Sequence, residues 1–289
     1  MVVLIHMLLC RLWIDRGGNM SSKMTFIPFI GSYEDIRTEM NEDLQYRLQS
    51  RQAKTSLGRP LYYRINIQLI TTQECPYNCP FCLERQNPMC GNNDFPMQID
   101  ALKRVLHEHP NARLTITGGE PGLYPNHIAN LIEVYRNYSN NVFCSINTSG
   151  FSTELNGLAH INLSRNEFVT PNPDDFPSCT VQTVIETPTL AFIKDYMKMN
   201  ASGFSFRFLS GFERKDYSVD IWNDLQNDQD VNVSTFRIGD FFVYATFDYD
   251  GKHARVTLGD MWQQQHNDYQ DGYSNIIIHP DGRVTTNWR

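Results

Sequence analysis

Three cysteines within eight residues, Cys75-Pro-Tyr-Asn-Cys79-Pro-Phe-Cys82, constrain this chain more than any other stretch. They follow a strand-like run, Tyr63 to Ile70, so the end of a strand would deliver them together onto one loop. Thiolates are the soft ligands of zinc and of iron-sulfur clusters, and a tight loop can bring three onto one ion or cluster without help from distant chain. A structural zinc site closes on four ligands, whereas three leave one coordination position open for a ligand that is not protein. The plainer alternatives are an incomplete zinc knuckle or three unrelated core cysteines.

At this spacing, with Phe81 before the last cysteine, the stretch resembles the CxxxCxxC signature of the radical S-adenosylmethionine (radical SAM) superfamily. Gly118-Gly119-Glu120-Pro121 is similar to that family's GGEP element, and Asn147-Thr148-Ser149-Gly150 to its later Asn-rich turn. Asn162-Leu163-Ser164-Arg165 stands where the next strand's serine contact belongs, so the resemblance covers about residues 60–210 in order. It implies a 4Fe-4S cluster on Cys75, Cys79 and Cys82, with the amino and carboxylate groups of SAM on the fourth iron. It further implies that Gly118, Gly119, Glu120 and Pro121 engage the methionine amino group, that Asn147 and Ser164 serve the ribose, and that Phe81 lies beside the cofactor. The implied reaction is reductive cleavage of SAM to a 5′-deoxyadenosyl radical, which abstracts hydrogen from a peptide or small polar substrate. An electron donor of flavodoxin or ferredoxin type is implied with it. No cysteine follows Cys179, so the resemblance is to members with a single cluster rather than to SPASM members with auxiliary clusters near the C-terminus.

Seven cysteines in 289 residues are too few for a disulfide scaffold, and with three in one loop they point to a reducing cytoplasm. Cys144 reads as a small buried hydrophobe and Cys90 as a weak candidate for a fourth ligand; Cys10 and Cys179 are isolated. A net charge of −7 and no dense Lys/Arg run disfavour a nucleic-acid partner. The apolar start, Met1 to Leu9, is too short to span a bilayer and lacks a basic flank. Residues 1–24 are therefore expected to be an extension outside the core, with Met20 or Met24 as alternative starts.

Residues 25–59 form an N-terminal segment in which Ile36, Met40, Leu44 and Leu48 have helical spacing, ended by Gly58-Arg59-Pro60. Residues 60–215 then alternate strands and helices. Strands are expected at 62–71, 113–117, 141–147, 159–164, 180–186 and 203–209, with helices at 99–107, 128–138 and 190–199. The resemblance implies a partial (β/α)6 TIM-like barrel; pattern alone equally allows a doubly wound sheet. Residues 216–289 read as a small β-rich C-terminal cap, with a short helix at 220–227, a turn at Asp248 to Gly251 and a hairpin around Pro280-Asp281-Gly282.

Side-chain parity favours the barrel. Successive strand residues face opposite ways, and the strands set Ile65, Ile67 and Leu69 against Asn66 and Gln68, Val142, Cys144 and Ile146 against Ser145 and Asn147, and Phe204 and Phe206 against Ser205 and Arg207. A parallel sheet covered on both faces would be apolar throughout. A persistently polar face fits a lumen that holds a polar ligand, or else one solvated face of an ordinary sheet. Ligands of such folds sit at the carboxyl ends of the strands, and the cysteine loop, Gly118-Gly119, Asn147 and Ser164 all fall there. Arg207 is the first candidate for the SAM carboxylate and Arg165 the competitor, since a guanidinium meets a carboxylate in bidentate geometry. Asn66, Gln68, His160 and Asn162 are the substrate and catalytic candidates. The competing class is a non-enzymatic zinc- or iron-sulfur-binding protein that uses the same cysteines structurally.

Overall fold

The computed structural model describes residues 65–82, 92–185, 189–208, 218–238, 243–257 and 275–286. The expected extension 1–24, the segment 25–59, and Cys10 and Cys90 lie outside them.

Six parallel strands, β1 (Asn66–Ile70), β2 (Arg113–Thr117), β3 (Cys144–Thr148), β4 (His160–Ser164), β5 (Thr180–Ile185) and β6 (Gly203–Phe208), neighbour one another in chain order. Helix α1 (Phe95–Glu108) follows β1, α2 (Pro125–Tyr138) follows β2, and α3 (Leu190–Tyr196) follows β5. Repeated crossovers of one kind between adjacent parallel strands curl a sheet toward a barrel. The result is the partial (β/α)6 barrel expected, with no ladder hydrogen-bonding β1 directly to β6 among the described residues.

The C-terminal strands occupy the two edges instead. After α4 (Ser218–Asn227), β7 (Val231–Ile238), β8 (Val243–Tyr249) and β9 (Lys252–Thr257) form an antiparallel meander whose last strand runs parallel to β6. β10 (Asn275–Ile278) runs parallel to β1, and β11 (Val284–Thr285) folds back on it as the expected hairpin. The β-rich region read as a cap thus joins one sheet, 11-stranded among the described residues, at both ends, flanking the gap between β1 and β6.

The parity of the strands sorts core from lumen. Ile67, Leu69, Leu114, Ile116, Ile146, Leu163, Val181, Phe204 and Phe206 are buried and pack on the helices, which contribute Leu102, Leu106, Ile128, Leu131 and Ile193. Fully burying one such side chain stabilises the fold by about 1.5–3 kcal/mol. The opposite face keeps Asn66, Gln68, Thr115, Asn147, Asn162, Ser164 and Arg207 half-buried.

Some element ends differ from expectation. α1 starts at Phe95 rather than 99, because the Asp94 carboxylate accepts from Met97 N at 3.0 Å and Pro96 suits the first turn. α3 stops at Tyr196 rather than 199, where the Lys252 ammonium captures the carbonyls of Met197, Lys198 and Met199 at 2.8, 3.1 and 2.8 Å. β3 starts at Cys144, and Val142, expected on the apolar face, is 98% exposed. Asn141 Oδ1 accepts from Phe143 N at 2.9 Å, a local turn that replaces the ladder there.

Candidate active site

The cysteine loop leaves the carboxyl end of β1. Cys75, Cys79 and Cys82 are half-buried, while Pro76, Asn78 and Pro80 between them are exposed. Cys82 N donates to Cys79 O at 3.2 Å, a tight turn that draws the last two together. The Phe81 ring meets Phe168, from the loop after β4, edge to face at 6.0 Å.

The root of the loop is clamped from beneath. Gln98 of α1, fully buried, donates from Nε2 to Ile70 O at 2.8 Å and His279 O at 3.0 Å, tying β1 to the C-terminal hairpin. Its Oε1 meets His127 Nε2 at 2.7 Å, and that imidazole stacks on Phe95 at 4.0 Å. Burial pushes His127 down to about 4, so the neutral ring donates its Nε2 proton to the amide oxygen.

Gly118 and Gly119 bring the next loop against the first. Gly118 has φ +80 and Gly119 φ +32. A Cβ on Gly119 would sit 2.3 Å from Glu74 O and 2.6 Å from Thr72 O, and one on Gly118 would sit 2.2 Å from Ile70 Cγ2. This close approach lets Glu120 N donate to Glu74 O at 2.8 Å, one residue before Cys75. Glu74 is held in turn by Asn93 Nδ2 at 3.0 Å and Tyr124 OH at 2.8 Å, and the carboxylate beside it raises the Tyr124 phenol.

Glu120, expected at the methionine amino group, is fully buried and turned toward β3. Its Oε1 accepts from Gly122 N at 2.7 Å and Thr148 Oγ1 at 2.5 Å, and its Oε2 from Ser149 N at 2.7 Å and from the Ser149 hydroxyl. The carboxylate therefore staples the loop after β2, including Pro121 at the start of a single 3-10 turn, to the loop after β3. Four donors hold a buried charge that would otherwise be costly. The sequence does not announce Thr148 and Ser149 as its partners, although both sit inside the Asn147 turn.

On the lumen face, Asn162 Nδ2 donates to Asn147 Oδ1 at 2.9 Å, joining a substrate candidate to a ribose candidate. Thr115 Oγ1 donates to Asn66 Oδ1 at 3.3 Å, and Asn66 Nδ2 reaches Asn275 Oδ1 at 3.4 Å. Gln68 shares that face, two residues along β1. His160 lies lower, at the first position of β4, exposed and 2.9 Å from Thr180 Oγ1; desolvation and then the Arg255 charge lower its pKa. Ser164 ends β4 at the rim. The Arg165 guanidinium donates to Pro171 O, bracing the loop after β4, while Arg207 stands near the carboxyl end of β6. Burial first and the charge of Arg255 second push the Arg207 guanidinium down to about 10, although part of its surface stays open to the lumen.

Residues 69–184 match the Radical SAM superfamily. That stretch carries a radical SAM domain. It is 28% identical over 130 residues to a probable GTP 3′,8-cyclase of Thermoplasma volcanium, covering 43% of this chain and 37% of that protein. It is 29% identical over 109 residues to a probable GTP 3′,8-cyclase of Thermococcus kodakarensis, covering 37% and 34%. The chain thus spans about a third of the length of these curated relatives. Its fold is similar to that of Streptococcus suis SuiB bound to the precursor peptide SuiA, with a TM-score of 0.52 at 12% identity over 91% of this chain and 67% of that one. SuiB bound to S-adenosylmethionine gives 0.52 at 11% identity over 90% and 67%.

Radical SAM proteins use a 4Fe-4S cluster and SAM, and the donor set fits that group. Among the described residues no three Cys, His, Asp or Glu side chains converge closely enough to hold a single metal ion. Sulfurs around one tetrahedral zinc stand about 3.8 Å apart, given bonds of about 2.3 Å. The sulfurs around a cluster, each on its own iron, stand farther apart, so three cysteines on one loop suit it without that convergence. Among the described residues, no helix is long and apolar enough to cross a membrane.

Proposed function

We propose that this chain is a radical SAM enzyme in which Cys75, Cys79 and Cys82 hold the cluster and the polar lumen receives a small polar substrate or a peptide segment. The observation that carries the reading is the junction of two loops at one rim, where Glu120 N meets Glu74 O at 2.8 Å directly beside Cys75. The cluster and SAM supply, when bound, one-electron cleavage of the sulfonium C5′–S bond to methionine and a 5′-deoxyadenosyl radical that takes a hydrogen atom from the substrate.

The chain's own residues bind and orient. The backbone at Gly118 and Gly119, bare of Cβ atoms, receives the methionine amino group. Glu120 and Pro121 hold that loop in place. Asn147 and Ser164 exchange hydrogen bonds with the ribose hydroxyls, since each both donates and accepts. Phe81 packs on the cofactor's apolar surface. Arg207, near the carboxyl end of β6 on the lumen face, takes the carboxylate. Asn66, Gln68, Asn162 and His160 meet the substrate along the lumen, and that polar lining favours a small polar molecule over an apolar one. An electron donor of flavodoxin or ferredoxin type and a cytoplasmic location, where thiols stay reduced, complete the proposal.

Anaerobic reconstitution followed by incubation with SAM and dithionite tests it. Release of 5′-deoxyadenosine that disappears in Cys79→Ala supports the enzyme. Stoichiometric zinc without SAM cleavage would instead establish the structural use of the same cysteines.

A further inference from the structure

The polar face does not end at β6. On that strand Gly203, Arg207 and the fully buried Ser205 alternate with the apolar Phe204 and Phe206. β9 pairs with it in parallel, with Ser205 opposite Arg255, and Arg255 alternates with the fully buried Ala254 and Val256. Arg255 is therefore on the same face as Arg207, and its Nε donates to Ser205 Oγ at 2.9 Å. That bond fixes the guanidinium plane against the wall, one inward-facing position deeper than Arg207, or about 6.6 Å along the strand.

Arg207 and Arg255 thus bring two guanidiniums to one partly buried face. After burial, which comes first in both, the charge of Arg255 lowers Arg207 on β6 and His160 on β4. Gly203 brings no side chain to this face, and a Cβ placed there would find its nearest neighbour, Thr180 Oγ1, at an ordinary 3.6 Å. On β8 the same face carries Thr246 opposite Arg255 and Asp248 opposite His253, whose Nδ1 lies 2.9 Å from the Asp248 carboxylate.

We propose that Arg255, braced by Ser205, is the anchor for an oxyanion of the substrate, a carboxylate or a phosphate. The inference rests on the function proposed above and names its substrate class. Arg207, nearer the rim, takes the SAM carboxylate, and Arg255 holds the substrate's anion one step deeper, so the remainder of the substrate lies alongside the cofactor. A guanidinium fork suits either oxyanion in bidentate geometry.

Isothermal titration of the anaerobically reconstituted full chain tests it, with inorganic phosphate, pyrophosphate and succinate as probes, each in the presence of saturating SAM. At least one probe binds alongside SAM, and Arg255→Met weakens it by about tenfold or more, as expected for loss of a charge-assisted hydrogen bond. Arg255→Lys, which keeps the charge but not the fork, weakens it less and guards against a variant that fails to fold. SAM affinity separates the two sources of oxyanion, falling in Arg207→Met and holding in Arg255→Met. The inference is overturned if no probe binds the wild-type chain, if Arg255→Met leaves probe affinity unchanged, or if that variant weakens SAM instead. Wild-type 5′-deoxyadenosine formation, run on the same preparation, judges the proposed function separately.

Discussion

Removing the acceptor that staples two rim loops together has a cost that can be worked from the structure. Glu120 offers two oxygens to four donors, and the bonds from Gly122 N and Thr148 Oγ1 are buried, while those from Ser149 lie partly within reach of water. Glu120→Ala strands two buried donors, each at about 1–3 kcal/mol, so a total loss of about 2–6 kcal/mol is expected. Glu120→Gln keeps the shape but turns one acceptor into an amide donor that faces donors, at about 2 kcal/mol. Equilibrium urea denaturation measures both, with the fluorescence of the buried Trp222 contributing to the signal. The loss in Glu120→Gln should appear in the SAM-free protein and be matched in direction by Thr148→Val. If Glu120→Gln unfolds at the wild-type midpoint and loses only SAM affinity, the carboxylate serves the ligand, and the staple is not its role.

Gly119→Ala places a Cβ 2.3 Å from Glu74 O in a left-handed conformation, so the cysteine loop must shift; iron and sulfide retained after reconstitution should fall well below wild type. His127, about 4 when folded and 6.5 when free, binds its proton more readily in the unfolded chain. Its contribution is whole above pH 6.5 and is lost as pH falls through about 4, by about 3 kcal/mol at most; His127→Gln, which donates to Gln98 at any pH, should flatten that slope in urea titrations from pH 7 to 4. Burial pushes the Cys144 thiol up to about 12 from 9.0. Its alkylation by iodoacetamide at pH 8, followed by peptide mass mapping, should run about a thousandfold slower than that of an unperturbed thiol.

What could be read from the sequence was local. The spacing of Cys75, Cys79 and Cys82 lies within one loop, and the parity of Asn66 against Ile67 or Ser205 against Phe206 depends only on the pleat. Both survive in the fold because every strand from β1 to β6 buries one face on helices. Long-range pairing was not legible. Asn275 meets Asn66 across 209 positions, and nothing in the apolar run of β10 says that it lies parallel beside β1 rather than on a separate cap. The use of Glu120 was hidden for the same reason, because its donors Thr148 and Ser149 come from 28 and 29 residues away. Arg255 escaped notice on a strand beyond the resemblance, while the early start of α1 was available in Asp94 and Pro96.

Mössbauer spectroscopy of the 57Fe-reconstituted chain, recorded with and without SAM, asks most directly whether three sulfurs at this rim leave one iron open. Three cysteine ligands predict a four-iron spectrum in which SAM shifts the signal of one iron and leaves the other three in place. A spectrum indifferent to SAM, or one in which no four-iron cluster forms on the wild-type cysteines, would contradict the account.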